Sequence, residues 1–277
     1  MSYKIVGDSC CDYTTVEHNK DAFIQIPLTL DVDGVQIRDD ETFDQEDFLK
    51  KVAASKECPR SACPAPEDYM KAYKQADDIY VVTLSSELSG SYNSAVLAKN
   101  LYEEEYGEKN IHVFNSKSAS SGQLLICHLI ERLVEEGKSF AEVVEQVEQY
   151  IKELNTYFVL ETLDFLKKNG RLSKVQALLA GALNIKPVMG AENGTIIKLG
   201  QTRGMKKAVG MMIDTAIAQC KNIEQKELVI AHCNCYERAE KAKEEIEKKA
   251  NFKNITIVDT RGVSSLYAGD GGIIIAC

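Results

Sequence analysis

The sequence IYVVTLSSELSGSYNS, residues Ile79–Ser94, joins an apolar run to a loop rich in hydroxyl groups. The run Ile79–Leu84 predicts a buried strand. A helix is predicted over Tyr92–Tyr106, and Ser89 and Ser91 are well placed to cap its first turn. Ligands of α/β sheets gather where the strands end, so these hydroxyls can also bind a carboxylate or another small polar group. Both interpretations stay open at this point.

Short apolar runs alternate with longer amphipathic ones along the whole chain, which predicts an α/β fold. Further strands are predicted at Tyr3–Val6, Ile111–Phe114, Leu228–Ala231, Ile255–Val258 and Ile273–Cys277. Further helices are predicted over Asp44–Ala54, Glu67–Gln75, Ser121–Glu136, Phe140–Leu154, Leu163–Lys168, Lys174–Leu179, Lys206–Lys221 and Glu237–Lys249. Thr42 and Gln45 have capping-box spacing before the first of these helices. Asp33–Gly34 and Asn193–Gly194, each flanked by strand-like sequence, predict two hairpins.

A domain boundary is predicted near residue 155. Two consecutive helices end there, and strand-like sequence resumes after Leu154–Tyr157. No repeat, low-complexity tract or flexible linker is present in the sequence. We therefore expect an N-terminal α/β lobe over residues 1–155 and a C-terminal lobe over residues 156–277.

The charge balance narrows the classes of partner. The 277 residues include 33 basic and 42 acidic side chains, a net charge of −9. Nucleic-acid binding relies on basic surface that releases counterions, and anionic membranes attract basic segments, so neither is expected as the main partner. No apolar stretch reaches the roughly 20 residues of a spanning helix, and no signal-peptide core follows the first residue. We expect a cytoplasmic protein without stable membrane insertion.

The residues most often used in catalysis or metal binding lack the required spacing. Of the nine cysteines, Cys58 with Cys63 and Cys233 with Cys235 do not form the two tight pairs of a structural zinc site, so free thiols and no metal are expected. The turn Asp8–Asp12 predicts side chains that cap backbone amides. Glycine-rich phosphate loops and the G-x-S-x-G elbow are absent from the sequence. No catalytic residue is predicted.

Five stretches, taken together, resemble the DegV family of bacterial fatty-acid-binding proteins, which includes the FakB subunits of fatty acid kinase. LSSELSGSYNSA at residues 84–95 resembles the family signature LSSxLSGTYxSA. The other four are KIVGDSCCDYT near the N-terminus, SACPAPEDYMKAY at 61–73, LDFLKKNGRLS at 163–173 and RGVSSLYAGDGG at 261–272. They follow the order of the family's motifs and extend over essentially the whole chain.

The resemblance implies two α/β lobes, a parallel-sheet α/β/α lobe followed by an α+β lobe, with an acyl tunnel between sheet and helices. It implies that Ser61, Ser89 and the amide of Gly90 hold the carboxylate of a long-chain fatty acid such as palmitate. It places Arg171 near the head group or a partner-facing mouth, and Arg203 on a surface that faces a fatty acid kinase. Locally, Arg171 can instead cap the end of its helix and Arg203 can be an ordinary surface charge. Apart from the bound acid, no cofactor is expected.

Neutral hydroxyls are sufficient head-group partners, because the acyl tail supplies the affinity. Burial of some 14 methylenes at ~0.8 kcal/mol each contributes on the order of 11 kcal/mol before the costs of binding. The head group then needs only satisfied hydrogen bonds. A carboxylate held without a neutralising cation also remains able to attack a phosphoryl group that a kinase presents.

The chain departs from the family pattern at the proposed head-group site. Tyr267 stands where the family has histidine, and Asp270 stands where it has proline. A phenol donates one hydrogen bond but is neutral at pH 7, so it cannot act as an imidazolium. We expect a lipid-binding protein rather than an enzyme. The alternatives are a small-molecule enzyme that uses the same cleft, or a kinase-interacting protein with a modified head-group site.

Overall fold

The computed structural model describes residues 2–13, 21–175 and 184–277. Its strands are β1 (Tyr3–Asp8), β2 (Phe23–Ile26), β3 (Thr29–Val32), β4 (Val35–Arg38), β5 (Arg60–Ala62), β6 (Asp78–Thr83), β7 (Asn110–Asn115), β8 (Thr156–Val159), β9 (Ile185–Glu192), β10 (Thr195–Arg203), β11 (Glu227–His232), β12 (Asn254–Asp259) and β13 (Ile273–Ala276). Its α-helices are α1 (Gln45–Ala54), α2 (Pro66–Tyr73), α3 (Ser91–Tyr106), α4 (Ser121–Glu135), α5 (Phe140–Glu153), α6 (Asp164–Lys168), α7 (Met205–Gln219), α8 (Tyr236–Lys249) and α9 (Gly262–Ala268).

The first half of the chain forms a four-stranded parallel sheet in the order β2-β1-β6-β7. Its central strand β6 is buried along its whole length, as its apolar sequence predicts. Ile79 and Val81 pack on the side of α2 and α3, whereas Tyr80 and Val82 pack on the side of α4 and α5. Alternate side chains therefore face opposite helical layers, which confirms the predicted α/β/α lobe.

The second half forms a six-stranded mixed sheet in the order β10-β9-β8-β13-β11-β12. Its pairs are antiparallel except β11 with β12. Leu228 and Ile230 pack in the core beneath α7 and α8, and Val229 and Ala231 belong to the core around α4. Helix α4 therefore lies between the two sheets and contacts β1 and β6 on one side and β11 and β13 on the other. The predicted division at residue 155 coincides with the change of sheet and stays a prediction.

Both predicted hairpins are present. Asp33 and Gly34 turn between β3 and β4, and Asn193 and Gly194 turn between β9 and β10, all four at positive φ. The sheet β4-β3-β5 packs with α1 and α9 around a separate apolar cluster. The prediction of a helix over Lys174–Leu179 falls partly outside the described residues.

The predicted capping box at Thr42 and Gln45 was wrong, and one helix was not predicted. The side chain of Asp44 caps α1 by accepting from the Asp47 amide at 2.9 Å, while the Thr42 hydroxyl donates to Asp40 instead. Helix α9 was not predicted, because the group that holds its first turn lies far away in sequence. The carboxylate of Asp39 accepts from the amides of Gly262 and Val263 at 2.7 and 2.8 Å.

Candidate functional site

A largely apolar cavity lies at the carboxyl ends of the parallel strands, between these ends, the six-stranded sheet, α6 and α9. The empty volume of the cavity, its opening to solvent included, is about 760 Å³. Its apolar lining includes Leu84, Leu88, Phe158, Leu160, Ile196 and Val263. Arg171 and Lys117 are its charged lining residues among those that the structure describes.

The topology explains why these residues meet. Cys10 follows β1, Leu84 and Leu88 follow β6, and residues 117–120 follow β7. Parallel neighbours end at the same edge of a sheet, and that edge is where α/β proteins bind ligands. The hairpin β9–β10 closes one side, because the Ser85 hydroxyl donates to the carbonyl of its turn residue Gly194 at 2.8 Å.

Three of the predicted head-group residues lie together at one part of the cavity wall. The hydroxyls of Ser61 and Tyr267 are 2.9 Å apart, so one donates to the other. The Arg171 guanidinium carbon lies 5.6 Å from the centre of the Tyr267 ring. Arg171 also donates from Nε to the Leu88 carbonyl at 3.1 Å and from a terminal nitrogen to the Asn169 carbonyl. Tyr267, Arg171 and Leu88 line the cavity, and Ser61 is connected to it through its contact with Tyr267.

Ser89 and Gly90 form the neighbouring segment. The Ser89 oxygen accepts from the Ser91 amide at 3.2 Å and lies 3.0 Å from the Ser91 hydroxyl oxygen. A β-carbon at Gly90 would lie 3.0 Å from the sulfur of Cys63, two residues after Ser61. The loop after β6 and the end of β5 are therefore in contact. Ser89 is adjacent in sequence to the lining residue Leu88, and Ser61 bonds the lining residue Tyr267, but neither serine is itself a lining residue.

Arg203 and Asp270, which the family comparison of the sequence singled out, lie elsewhere, as does the buried His232. Arg203 ends β10 at an exposed position and is not a lining residue. Asp270 is exposed, accepts from Asn234 at 3.0 Å and is not a lining residue. His232 is buried, its pKa is lowered by burial, and its Nδ1 accepts from the Cys235 amide at 3.4 Å. That environment fits a core histidine.

Sequence reasoning missed a second polar region of the cavity, which we call the hydroxyl wall: Ser118, Ser120, Thr156 and Ser264. Each of these four side chains is at least nine-tenths buried. The hydroxyls of Ser118 and Thr156 are 2.6 Å apart, and that of Ser120 donates to Asp12. No local pattern in the sequence distinguishes these serines from capping residues.

Two buried aspartates accept hydrogen bonds from residues that line the cavity. Asp12 accepts from the amide of Arg261 at 2.6 Å, and burial raises its pKa to about 7. Burial raises the pKa of Asp8 to about 6, although its carboxylate accepts from the amides of Leu84 and Cys10. The predicted capping role of the Asp8–Asp12 turn is confirmed, and its amide partners include groups far away in the chain.

The cysteines form no disulfide, and the described residues contain no metal-ligand cluster. All nine cysteines are free thiols, and burial raises the pKa of Cys10, whose sulfur lies 3.6 Å from the Ser264 oxygen. Clusters of three or more potential metal ligands are absent from the described ranges. Within those same ranges, no helix combines the length and apolarity that crossing a membrane requires.

Comparisons with known proteins agree with this architecture. A model for a family described as uncharacterised proteins of the DegV family matches residues 2–277. A DegV domain-containing protein of Streptococcus pneumoniae is 36% identical over 277 residues, which cover 99% of this chain and 98% of the relative.

Two solved structures extend the comparison to three dimensions. A Ruminococcus gnavus DegV-family protein with vaccenic acid is 50% identical, with a TM-score of 0.96 over 99% of each chain. The Streptococcus pneumoniae fatty acid kinase B3 protein loaded with linoleic acid is 36% identical, with a TM-score of 0.93 over 100% of this chain and 99% of that one. The predicted family is confirmed, and the chain belongs to the DegV family.

Proposed function

We propose that this protein binds one long-chain fatty acid in the cavity, with the carboxylate at Ser61, Ser89 and the Gly90 amide. The observation that carries the proposal is the apolar cavity bordered by the hydrogen-bonded pair Ser61–Tyr267 and by Arg171. An apolar volume with few polar groups at one place is the expected form of a site for a chain with one polar end.

The head-group hydroxyls are suited to a carboxylate because their hydrogen bonds are mostly to one another. Ser61 pairs with Tyr267, and Ser89 pairs with Ser91. A carboxylate accepts only, so each pair can turn a proton towards it without leaving a buried carbonyl unpaired. Arg171 adds a positive charge at the lining. Tyr267 thus contributes a neutral donor in place of the family's histidine.

The relatives support the choice of ligand. The Ruminococcus gnavus protein carries vaccenic acid, and the Streptococcus pneumoniae protein carries linoleic acid. Both share the fold of this chain over nearly its full length. We propose the same class of ligand here, acids of about 14–18 carbons such as palmitate, whose tails the apolar lining would bury.

We further propose that the protein is a carrier that presents the acid to the catalytic subunit of a fatty acid kinase and performs no chemistry itself. The Streptococcus pneumoniae relative is a fatty acid kinase B3 protein. A carboxylate held by hydroxyls keeps the nucleophilicity that phosphoryl transfer needs. Arg203, exposed at the end of β10, is the proposed kinase-facing charge. The carrier would use no cofactor of its own and would act in the cytoplasm.

The decisive experiment is native mass spectrometry of the purified protein, followed by lipid extraction. We expect one bound fatty acid per chain. Protein that remains without lipid after incubation with palmitate and with oleate would contradict the proposal. Retention of a kinase partner by such protein would favour a kinase-interacting protein with a modified site.

Substitutions locate the carboxylate. Ser61→Ala and Ser89→Ala should each weaken binding by about 1–3 kcal/mol, since a buried charged group loses a partner. Ser86→Ala, on the same loop but with its hydroxyl bonded to Asn115 and not to a head-group residue, is the matched control. Lys117→Met tests the opposite orientation: a larger loss for this variant than for Ser61→Ala would place the carboxylate at Lys117.

A further inference from the structure

The hydroxyl wall is an unexpected feature for a cavity that holds only a hydrocarbon chain. A saturated chain gains more from apolar neighbours than from hydroxyls, because methylene burial is what stabilises it. Yet Ser118 and Thr156 contribute a hydrogen-bonded pair to the lining, and Ser120 and Ser264 contribute two more hydroxyls. These residues lie on different elements from the head-group serines, after β7, at the start of β8 and in α9.

The packing around the pair depends on a missing side chain. A β-carbon at Gly122, in the first turn of α4, would lie 2.0 Å from the Ser118 oxygen and 2.9 Å from the Thr156 oxygen. Any other residue at Gly122 would displace the pair. The two hydroxyls therefore occupy space that only a glycine leaves free, between a helix and a strand that both belong to the core.

The hydrogen-bond inventory of the wall shows which ligand group it can accept. The Ser118–Thr156 contact uses one of the two hydroxyl protons, and the Ser118 oxygen lies 3.4 Å from the Ala119 carbonyl. The proton of Ser120 is committed to Asp12, and the Ser264 oxygen lies 3.6 Å from the Cys10 sulfur, where either group can donate. Each hydroxyl oxygen has two lone pairs, so most of the spare capacity of the wall is for accepting. A chain hydroxyl can donate to the wall without breaking an existing bond, whereas a ketone, which only accepts, has to take a proton from one of these contacts.

We propose that the cavity binds long-chain acids that carry a hydroxyl group along the chain, with this hydroxyl donating to the Ser118–Thr156 pair or to a neighbouring oxygen of the wall. The inference rests on the proposed function, since the carboxylate occupies the head-group site. An apolar tunnel would reject such a chain, because a buried hydroxyl without a partner loses its hydrogen bonds to water. The wall supplies the partner that removes this penalty.

The distance between the wall and the head-group site indicates where the fatty acid should carry its hydroxyl group. Ser264 precedes Tyr267 by three residues on α9, which is about 4.5 Å along a helix axis. Ser264 is therefore slightly less than one helical turn from the head-group tyrosine, and Ser118 and Thr156 lie on other elements, after β7 and at the start of β8. A hydroxyl further along the chain can reach the wall, whereas a 2-hydroxy acid places its hydroxyl beside the carboxylate and serves as a control ligand.

The test compares dissociation constants of stearate, 10-hydroxystearate, 12-hydroxystearate, 2-hydroxystearate and 10-oxostearate by displacement of a fluorescent fatty acid. For the unaltered protein we expect at least one mid-chain hydroxy acid to bind within tenfold of stearate and at least fivefold more tightly than 10-oxostearate. In Ser118→Ala and in Thr156→Val, the ratio of hydroxystearate to stearate affinity should fall at least fivefold. Thr83→Val, a buried threonine that bonds the Phe114 carbonyl outside the lining, should leave the ratio unchanged.

The outcomes separate this inference from the proposed function. Stearate binding with every mid-chain hydroxy acid more than tenfold weaker, or with 10-oxostearate as tight as 10-hydroxystearate, overturns the inference alone. An unchanged ratio in both wall variants does the same. Failure of the unaltered protein to bind stearate or any hydroxy acid overturns the proposed function and this inference together. Ser118→Ala and Thr156→Val lie on different elements, so if one variant misfolds, the other still tests the inference.

Discussion

The head-group site and the hydroxyl wall use the same functional group in opposite ways. Ser61 and Ser89 are partly exposed, and their hydroxyls bond to other hydroxyls. The wall hydroxyls are almost fully buried, and Ser120 is fixed by the carboxylate of Asp12. Partly exposed hydroxyls bonded to one another can reorient towards an incoming anion. In the wall, Ser120 is held by its carboxylate acceptor, and the Ser118–Thr156 pair, although also bonded hydroxyl to hydroxyl, is confined by its burial and by its packing against Gly122. The cavity thus has one adaptable polar region and one rigid one.

The largest effect is expected from a substitution that disturbs both regions, because α9 carries Ser264 of the hydroxyl wall and Tyr267 of the head-group site. In Asp39→Ala the amides of Gly262 and Val263 lose their acceptor. Buried donors left unpaired cost about 1–3 kcal/mol each, so the free energy of unfolding should fall by about 3 kcal/mol in urea denaturation. Glu41→Ala, at an exposed neighbouring position, should change it by under about 0.5 kcal/mol. A loss below about 1 kcal/mol for Asp39→Ala would mean that other contacts hold α9.

The second effect concerns the rigidity of the wall and depends on pH. Burial raises the pKa of Asp12 to about 7, above the ordinary value of about 3.9. Between these values the folded state binds the proton more tightly than the unfolded state, so the stability that Asp12 contributes is full below about pH 4 and is lost as pH rises to about 7. Asp12→Asn cannot titrate, and asparagine tolerates the φ of 50° at this position.

We therefore expect the stability of the unaltered protein relative to Asp12→Asn to fall by about 2 kcal/mol between pH 5 and pH 8. Urea denaturation of both proteins at several pH values measures this difference. Asp8, whose pKa is also raised, titrates in both proteins and cancels in the comparison. Parallel stability profiles would indicate that Asp12 is ionised across the whole range.

A third and smaller effect tests the adaptable region. Tyr267→Phe and Ser61→Ala each remove one side of the 2.9 Å hydroxyl contact. We expect each variant to weaken fatty-acid binding by about 1 kcal/mol and the double variant to lose less than the sum, since the two hydroxyls act on the same carboxylate. Isothermal titration with palmitate measures the cycle. Strict additivity would show that the two hydroxyls bind independent groups.

The smallest effect is expected at Arg203, and its comparison with Arg171 shows how far the head-group site extends. Arg203 is exposed and lies outside the lining, so Arg203→Ala should change palmitate affinity by under about 0.5 kcal/mol. Arg171→Ala removes a lining charge and the bond to the Leu88 carbonyl, and should weaken palmitate binding more. Equal losses in the two variants would show that the cavity extends to the end of β10.

Local sequence was enough to predict most of the strands, the two hairpins and the loop at Ser89, because each depends on residues close together in the chain. The short strands β2 and β5 were not predicted. The family resemblance then supplied Ser61, Arg171 and Tyr267, which the fold places in one chain of contacts. What could not be predicted depends on distant partners. Asp39 starts a helix 223 residues further along the chain.

The hydroxyl wall was missed for the same physical reason. Ser118 meets Thr156 across 38 residues, and Ser120 meets Asp12 across 108. A serine that follows a strand can cap a helix, form a turn or contact a ligand, and the sequence does not distinguish these roles until the partner of the serine is known. Only the packing of α4 between the two sheets brings these side chains to one surface.

Helix α4 also determines how the molecule comes apart. Eleven of its fifteen residues are buried, and it contacts strands of both sheets. Unfolding either half strips this helix of one of its two apolar supports and exposes it to water, so the loss spreads to the other half. The chain should therefore melt in a single cooperative step. If the chain were cut in the connection before β8, each fragment would expose an apolar surface that the other fragment normally covers. We expect such fragments to aggregate rather than fold.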